Sequence, residues 1–409
     1  MARIVMKFGG TSVGDKDRIR KVAHRIKTEV ETGHEIAVVV SAMAGVTNQL
    51  VTRCHQMSCD QTGVGFSREY DVVVSTGEQV ITGLLALALQ GLGLSTRSWQ
   101  GWQVPICTDG IHGRARIESI LPDRLLAEMA AGSIPVVAGF QGIGPEEGVT
   151  TLGRGGSDTS AVALAVALKA DRCDIYTDVE GVYTTDPRIV TKARKLDRIA
   201  YEEMLEMTSL GAKVLQTRSV EMAMKHRVVL RVLSSFTDAP GTFVCDEDEI
   251  VERHLLSGIT YSRDDAKITL TKVADQPGIA AAVFGPLAEA NVNVDMIVQN
   301  ISEDGKTTDL TFTVAKADLK RAVTVIQMGS ALAFDRLIPD PDVVKISVIG
   351  VGMRSHAGVA QTMFQALAER GINIQVISTS EIKISVLIAE EYTELALRAL
   401  HSAYGLDIA

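Results

Sequence analysis

Short apolar segments alternate with helix-like segments over roughly the first 245 residues. β-branched and apolar runs predict strands at Arg3 to Phe8, Glu35 to Ala42, Ile134 to Phe140, Asp174 to Asp178 and Val228 to Ser235. Apolar positions at helical spacing predict helices at Arg18 to Glu31, Gln79 to Gln90 and Ala161 to Lys169. This alternation predicts βαβ units and a mostly parallel sheet covered by helices, an α/β fold. The segment Tyr70 to Ser75 has the β-branched residues of a strand but adjoins a helical run, so its state stays open.

The pattern changes after the acidic stretch Asp246 to Glu249, and the rest of the sequence repeats itself at an offset of 80 residues, which pairs Gly278 with Gly358 and Asn293 with Asn373. Each copy has the order strand, turn, amphipathic helix, turn, strand, strand. We therefore expect a first domain at 1–245 and a second region at 246–409. That region contains two α+β copies, at about 265–340 and 341–409, and the second copy could also include 250–264. Copies of this size are marginal alone, so we expect them to pack together unless they are exchanged between subunits.

Composition and charge exclude several classes of protein. The chain has 409 residues, of which 46% are apolar and 22% charged, as in globular proteins with more than one domain. The net charge of −9 and the scattered basic residues argue against a partner such as nucleic acid or an anionic membrane. Runs such as Ile36 to Val40 are far shorter than the roughly 20 apolar residues of a membrane span. The N-terminus lacks a secretion signal, so a cytoplasmic location is expected. The five dispersed cysteines and the lack of HxxxH spacing predict no structural disulfide and no metal site.

A glycine pair follows the first predicted strand, in the sequence Lys7-Phe8-Gly9-Gly10-Thr11-Ser12. Ligands collect at the carboxyl ends of strands in α/β sheets, and adjacent glycines let backbone N–H groups approach an anion. A tight turn that needs glycine for steric reasons explains such a pair about equally well, but Lys7 favours phosphate. A P-loop is excluded because Asn300 stands where that motif needs glycine before Gly305-Lys306-Thr307.

A second glycine-rich loop, Gly153 to Thr159, precedes the predicted helix at Ala161 to Lys169. Free N–H groups and the positive end of a helix dipole favour an anion there. Arg154 adds a guanidinium that can grip a carboxylate through two hydrogen bonds. The alternative is a flexible surface loop with a capping residue.

Three other features are ambiguous when taken alone. Ser41 and Thr47 follow a strand, where hydroxyls are usually turn residues, and Glu78 lies where helices often begin with a carboxylate. The loop from Thr177 to Arg188 combines Asp, Gly, Tyr and Arg, so it could hold a nucleoside or simply turn.

Taken together, these motifs resemble the amino acid kinase superfamily and, within it, the aspartate kinases. The strings KFGGTS, VSAMAGVTN, STGE, TTLGRGGSDTSA and YTDVEGVYTTDPR occur in the order that the family shows, and the C-terminal repeat resembles paired ACT domains. The resemblance implies an amino acid kinase fold followed by two ferredoxin-like ACT domains. It implies transfer of the γ-phosphoryl group of ATP to the β-carboxylate of L-aspartate, the first step toward lysine, threonine and methionine. It also implies Mg²⁺ held mainly through the phosphates, feedback control by lysine and/or threonine, and a homo-oligomer.

The resemblance also implies roles for individual residues. Lys7 and Lys213 would face the transferred phosphoryl group, with Asp158 orienting the lysine neighbourhood. Nucleotide would bind at Phe8, Gly9, Gly10, Thr177, Asp178, Tyr183, Asp186 and Arg188. Arg154 and Ser157 would bind the α-carboxylate of aspartate and Glu78 its α-ammonium, while Ser41, Thr47 and Phe140 would shape the pocket. Effectors would bind at Asp275, Gly278, Ile279, Ala280, Asn293, Asp295, Gln299, Val359, Ala360, Asn373, Ile374, Ser380 and Glu381.

The chemistry agrees with these roles, because an aspartate side chain titrates near 3.9 and is already a nucleophile at neutral pH. No general base is required. Two other interpretations stay open, namely a superfamily member with another acid or phosphate acceptor, and an amino-acid sensor whose kinase lobe is inactive. Arg154 with Glu78 favours a zwitterionic amino acid, and the presence of Lys7, Asp158 and Lys213 argues against an inactive lobe.

Overall fold

The computed structural model describes residues 2–57, 64–212, 214–250, 255–301, 306–328, 333–356 and 358–407. These residues divide into two units. The N-terminal unit comprises Met1–Val182, Lys195–Thr208 and Lys213–Glu252. The C-terminal unit comprises Tyr183–Arg194, Ser209–Ala212 and Arg253–Ala409, so two short segments from the first half of the chain belong to it.

The N-terminal unit contains most of the predicted α/β alternation. Its strands are β1 (Arg3–Phe8), β2 (Glu35–Val40), β3 (Thr96–Trp99), β4 (Ile106–Thr108), β5 (Ile117–Ile120), β6 (Ile134–Ala138), β7 (Gln141–Ile143), β8 (Val149–Thr151), β9 (Arg172–Thr177), β10 (Arg198–Ala200), β11 (Leu230–Ser234) and β12 (Thr242–Cys245). The helices are α1 (Lys16–Glu31), α2 (Val46–Met57), α3 (Val64–Val74), α4 (Thr76–Gly91), α5 (Asp123–Ala130), α6 (Gly156–Leu168), α7 (Tyr201–Ser209), whose last residue belongs to the other unit, and α8 (Thr217–His226).

An eight-stranded sheet forms the centre of this unit, in the order β10-β12-β11-β9-β1-β2-β6-β3. Every neighbouring pair is parallel except β11 with β12, so the predicted mostly parallel sheet is confirmed. Strands β1 and β2 each have five consecutive buried residues, as expected where helices cover both faces. The segment Tyr70 to Ser75, left open above, is helical up to Val74.

Sequence patterns missed a second sheet in this unit. Four short strands pair in the order β5-β4-β7-β8, and each has only three or four residues. Runs this short carry no usable alternation of apolar and polar residues. Strand β8 nevertheless leads directly into the loop that contains Arg154.

Helices α1 and α6 show how local sequence directs this packing. Asp15 caps α1 by accepting hydrogen bonds from the backbone N–H groups of Asp17 and Arg18, and the helix buries Ile19, Val22, Ala23 and Ile26 at helical spacing. Nearly every side chain of α6 is buried, which is typical of a helix enclosed on all sides.

One helical stretch, Gly65–Gly91, is long and apolar enough to cross a membrane, with a mean hydropathy of 1.7 over 18 residues. Half of that window is buried inside the protein. Ile81, Leu85 and Leu89 pack in the same apolar cluster as strands β1 and β2. Since a buried core helix passes the same test of length and composition, we assign this stretch to the core.

The C-terminal unit contains the repeated α+β pattern. Its strands are β13 (Gly258–Ser262), β14 (Asp265–Ala274), β15 (Val294–Ile301), β16 (Thr307–Ala315), β17 (Arg336–Asp340), β18 (Val343–Ile349), β19 (Val376–Thr379) and β20 (Lys383–Ala389). Its helices are α9 (Ile279–Glu289), α10 (Leu319–Met328), α11 (Val359–Ala368) and α12 (Thr393–Ala403).

These strands form two four-stranded sheets, β15-β16-β14-β17 and β13-β18-β20-β19. The repeat is visible in the backbone, because the paired glycines Gly278 and Gly358 have φ angles of 92° and 101° and directly precede α9 and α11. Strand β13 completes the second sheet from a position before the first copy. The copies pack together through an apolar cluster that includes Met296 and Val376.

Candidate active site

The predicted phosphate turn lies at the carboxyl end of β1, where three pieces of chain meet. The N–H of Gly9 donates to the carbonyl of Tyr176 at the end of β9 (3.0 Å), and the N–H of Ala44, beyond β2, donates to the carbonyl of Gly10 (3.1 Å). A Cβ on Gly10 would lie 2.7 Å from the carbonyl oxygen of Ala42, so this position requires glycine. The turn is therefore fixed by both neighbouring strands.

Phe8 contributes to this region only through its backbone. Its side chain has no exposed surface and stacks on Tyr176 with the ring centroids 4.7 Å apart. The carbonyl of Phe8 accepts from the N–H of Ser41 (3.1 Å), which places Ser41 at the next strand end. Thr47 lies half-buried in the first turn of α2.

Lys7 and Asp158 form an ion pair at the centre of the candidate site. The Lys7 ammonium lies 2.6 Å from the Asp158 carboxylate, and the side chains are only 10% and 11% exposed. Asp158 lies in the first turn of α6. The pair joins the end of β1 to the start of the helix that follows the Arg154 loop.

Glu78 is a buried carboxyl group in the first turn of α4. It is 3% exposed, and one of its oxygens accepts from the N–H of Ala42 (3.0 Å). The other oxygen has no hydrogen-bond partner among the described residues. Burial raises the pKa of Glu78 to about 7, although the Ala42 N–H and the charge on Lys7 both lower it. A buried carboxyl group with one unoccupied oxygen is suited to a cationic ligand.

The glycine-rich loop turns sharply before α6. Gly153 and Gly155 have φ angles of 80° and 74°, a region that favours glycine. Arg154 lies exposed between them and makes no ion pair with a described residue within 4 Å. Ser157, by contrast, is 7% exposed, and its Cβ would lie 2.9 Å from a Cβ on Gly139. The start of α6 thus packs against the end of β6.

Phe140, another residue assigned to the aspartate pocket, has an unusual backbone for a side chain of its size. Its φ angle is 69°, and its N–H donates to the Ser160 hydroxyl (3.0 Å). Its carbonyl accepts from the N–H of Leu152 (2.9 Å), immediately before the glycine-rich loop. These bonds hold a backbone conformation that costs on the order of 1–3 kcal/mol, and such residues cluster at functional sites.

The residues assigned to the nucleotide do not all belong to one unit. Thr177 ends β9 and Asp178 follows it, both in the N-terminal unit, and the Thr177 hydroxyl donates to the Asp178 carboxylate (3.2 Å). Tyr183, Asp186 and Arg188 belong to the C-terminal unit. The Arg188 side chain hydrogen-bonds to Asp186 (2.8 Å) and lowers the pKa of that carboxyl group. Lys213 lies outside the described residues.

The residues assigned to effectors lie in corresponding places in the two copies. Gly278, Ile279 and Ala280 are at the start of α9, as Val359 and Ala360 are at the start of α11. Asp275 precedes α9. Around β15 and β19 lie Asn293, Asp295 and Gln299 from one copy, and Asn373, Ile374, Ser380 and Glu381 from the other.

Sequence reasoning missed the partner of Asp295. The ammonium of Lys345, on β18, lies 2.9 Å from Asp295 and 3.1 Å from Asp265, and Lys345 is 6% exposed. Burial raises the pKa of Asp295, but hydrogen bonding and charge from Lys345 outweigh it, so the pKa is lowered overall. A lysine inside the apolar run Val343–Ile349 was the signal that could have revealed this cluster.

Comparison with known proteins covers both units. Residues 2–234 match the amino acid kinase family, and residues 267–327 and 346–404 each match the ACT domain. An aspartate kinase of Stutzerimonas stutzeri is 55% identical over 409 residues, with 100% of this chain and 98% of the relative covered. The solved structure of E. coli aspartokinase III in complex with aspartate and ADP is similar with a TM-score of 0.82 and 28% identity, over 98% of this chain and 99% of that one. Its complex with lysine and aspartate has a TM-score of 0.77, with the same identity and coverage.

Proposed function

Because this chain belongs to the amino acid kinase family and, within it, to the aspartate kinases, we propose that it phosphorylates the β-carboxylate of L-aspartate with ATP to give 4-phospho-L-aspartate. The family resemblance and the fold class predicted from the motifs are confirmed. The observation that carries the proposal is the Lys7–Asp158 ion pair (2.6 Å) beside the Gly9-Gly10 turn, with the buried Glu78 close enough for the charge on Lys7 to lower its pKa.

Recognition of aspartate is assigned to charged groups of opposite sign. Glu78 would accept the α-ammonium on its unoccupied oxygen, and Arg154 with Ser157 would bind the α-carboxylate at the start of α6. Ser41, Thr47 and Phe140 would shape the rest of the pocket. Such an arrangement distinguishes a zwitterionic amino acid from a simple acid.

Phosphoryl transfer requires in-line positioning and positive charge around the transferred group rather than covalent help from the protein. Lys7 would contact that group, and Asp158 would hold the Lys7 ammonium in place. Gly10 would offer its backbone N–H group, whereas the N–H of Gly9 is donated to the Tyr176 carbonyl, so Gly9 would line the turn without donating to the phosphate. Lys213 is proposed as the second cation. The nucleophile, an ionised carboxylate, needs no general base.

The donor set near Lys7 indicates how Mg²⁺ would be held. The groups near Lys7 are hydrogen-bond donors, namely the ammonium, the backbone N–H groups of the glycine turn and the start of α6. Donors bind phosphate oxygens, whereas Mg²⁺ needs oxygen ligands, which the phosphates themselves supply. When bound, the ion would neutralise phosphate charge, and it would be held mainly through the phosphates of ATP. For the nucleotide itself, the proposed residues are Phe8, Thr177, Asp178, Tyr183, Asp186 and Arg188.

Regulation is proposed to reside in the two ACT domains. Lysine and/or threonine would bind at the corresponding turns and strands of the two copies and favour a less active conformation, a coupling typically of 1–3 kcal/mol. We further propose that the kinase domain spans 1–245 and the regulatory region 246–409, and that the protein is a cytoplasmic homo-oligomer.

A hydroxamate assay for aspartyl phosphate tests the function directly. With ATP, Mg²⁺ and L-aspartate, purified protein should form aspartyl hydroxamate, and glutamate, N-acetylglutamate or UMP should not replace aspartate. Lysine and threonine, added separately and together, should lower the rate in at least one condition. ATP binding without turnover on aspartate would instead favour a sensor with an inactive kinase lobe. Insensitivity in all three effector conditions would remove the proposed feedback control.

A further inference from the structure

Asp71 is a carboxylate with no exposed surface that joins separate parts of the N-terminal unit. It lies on α3 and accepts hydrogen bonds from the N–H (3.0 Å) and hydroxyl (2.5 Å) of Thr151 and from the N–H of Gly113 (3.0 Å). The Nδ1 atom of His112 lies 2.8 Å from the same carboxylate, and because a carboxylate only accepts, that nitrogen donates. These donors occupy both oxygens. The role of Asp71 must therefore follow from the segments that its side chain fixes in place.

One of the elements it holds leads to Arg154. Thr151 ends β8, three residues before Arg154. Its N–H and hydroxyl are bound to Asp71, and its carbonyl accepts from the N–H of Ala115 (2.9 Å). The guanidinium of Arg218 donates to the carbonyls of Leu152 (2.8 Å) and Ala115 (3.0 Å). The chain that enters the Arg154 loop is thus fixed by hydrogen bonds up to its turn.

The turn at Gly153 packs against Gly113, whose N–H is bonded to the Asp71 side chain. A Cβ on Gly153 would lie 3.2 Å from the carbonyl oxygen of Gly113, so the loop runs directly over the backbone next to Asp71. Gly153 has a φ angle of 80°, and Arg154 follows it. A shift of Gly113 would therefore displace the loop.

Asp71 also lies close to the helix that carries Glu78. The backbone carbonyl of Asp71 accepts from the N–H of Ser75 (3.1 Å). Helix α4, with Glu78 in its first turn, begins at the residue after Ser75. The carbonyl of Ser75 in turn accepts from the side-chain amide of Gln141 (3.0 Å). One buried side chain thus lies at the junction of the two elements proposed to bind the charged ends of the amino acid.

We propose that Asp71 is a positioning residue for amino-acid recognition, which holds the Arg154 loop at a set distance from the helix that carries Glu78. This inference rests on the roles proposed for Arg154 and Glu78. Asp71 itself contacts no substrate. The Gly9-Gly10 turn is held instead by the ends of β2 and β9, so the loss of Asp71 affects binding of aspartate and leaves binding of ATP unchanged.

Asp71→Asn tests this inference, because the amide keeps the shape but points an N–H at groups that are themselves donors. We expect KM for aspartate to rise at least tenfold and KM for ATP to stay within twofold of wild type. A purely structural role would lower the active fraction, and hence kcat, without moving either KM. Asp109→Asn is the matched control, since Asp109 also accepts from two backbone N–H groups, of Ile111 and Arg116 (both 3.1 Å), in the same region. Its kinetic constants should not change.

Each outcome decides the question. A folded Asp71→Asn protein with unchanged KM for aspartate, or with both KM values raised alike, overturns the inference. If circular dichroism shows that this variant does not fold, Thr151→Val removes a single donor at nearly constant shape. It should raise KM for aspartate at least threefold and leave KM for ATP unchanged, and no change would overturn the inference. Failure of the wild-type protein to form aspartyl hydroxamate overturns the proposed function itself and the inference with it.

Discussion

The ionisation of Glu78 should control how tightly the enzyme binds aspartate near neutral pH. Burial raises the pKa of Glu78 to about 7, and its second oxygen is unoccupied among the described residues. Only the ionised carboxylate would attract the α-ammonium that is proposed to bind there. Binding therefore requires a form of the enzyme that is only partly populated at neutral pH, and the apparent affinity falls by that fraction.

The expected size of the effect follows from that pKa. With a value of about 7, roughly 9% of Glu78 is ionised at pH 6 and roughly 91% at pH 8. KM for aspartate should thus fall about tenfold between pH 6 and pH 8 at saturating ATP and Mg²⁺. Aspartate keeps its ionised side chain and its protonated ammonium over this range, so the change belongs to the enzyme.

Glu78→Gln is the matched variant for this measurement. Its amide carbonyl can still accept from the N–H of Ala42, but it carries no charge. KM for aspartate should rise at least tenfold at pH 8, because a buried charge pair is broken, and should no longer depend on pH. Initial rates from a coupled assay for ADP, at constant ionic strength, give both profiles. A wild-type KM that is constant from pH 6 to 8, or a glutamine variant with the wild-type slope, would refute the reasoning.

The same pKa predicts an opposite effect on stability. The pKa in the folded protein lies above the ordinary value of 4.5, so the folded state retains a proton that the unfolded state has lost. This contribution to stability is present below pH 4.5 and is lost as the pH rises through about 7. The difference amounts to about 3 kcal/mol at 1.36 kcal/mol per pH unit. Urea unfolding should show Glu78→Gln gaining stability relative to wild type by about 2.5 kcal/mol between pH 5 and pH 8, since part of the difference is already present at pH 5.

Three further substitutions test separate parts of the molecule. Lys7→Ala should lower kcat at least 100-fold with an unchanged circular dichroism spectrum. Near-normal turnover would contradict its role at the phosphoryl group. Arg154→Ala should lower kcat/KM for aspartate about 30-fold, equivalent to about 2 kcal/mol, and an unchanged KM for aspartate would exclude contact with the α-carboxylate. Lys345→Met leaves the largely buried Asp265 carboxylate (13% exposed) and the more exposed Asp295 (62% exposed) without their shared cation, which should destabilise the C-terminal unit by about 1–3 kcal/mol in urea unfolding. Replacing both aspartates with asparagine in the same protein should restore most of that loss.

The sequence predicted the parts of the site that depend on local pattern. Strands buried on both faces appear as unbroken apolar runs, and in a parallel sheet their carboxyl ends meet at one edge. The glycine pair after β1 and the loop before α6 could therefore be predicted to lie close together, and the Lys7–Asp158 ion pair joins the elements that carry them, whereas their binding of anions stays a prediction. The structure explains why both segments need glycine. A side chain on Gly10 would collide with the carbonyl of Ala42, and Gly153 and Gly155 adopt positive φ angles.

Pairings across long sequence distances could not be predicted from pattern alone. The contact of Lys7 with Asp158 joins residues 151 positions apart, and the partner of Glu78 is a backbone N–H that has no sequence signature. The strands of the small sheet are too short to show periodicity. Asp71 could have been predicted to be hydrogen-bonded, because it adjoins the apolar run Val72-Val73-Val74 and a carboxylate is costly to bury without hydrogen bonds.

The division of the proposed nucleotide residues between the units also has a physical explanation. Segment Tyr183–Arg194 is bonded into the C-terminal unit, where the carbonyl of Thr184 accepts from the N–H of Ile259 on β13 (2.7 Å). The Thr184 hydroxyl accepts from the N–H of Arg194 (3.0 Å) and lies 2.9 Å from Nε2 of His401. Burial lowers the pKa of His401 and so favours a neutral imidazole beside this hydroxyl.

These hydrogen bonds hold the segment Tyr183–Arg194 within the C-terminal unit. Asp186 and Arg188 lie within it, and Asp186 also accepts from the Tyr261 hydroxyl (3.3 Å) on β13. Val190 packs in the core of the second repeat. We therefore expect an effector that changes the packing of these repeats to displace Asp186 and Arg188, which are bonded within the same unit. Inhibition by such an effector should accordingly appear first in KM for ATP.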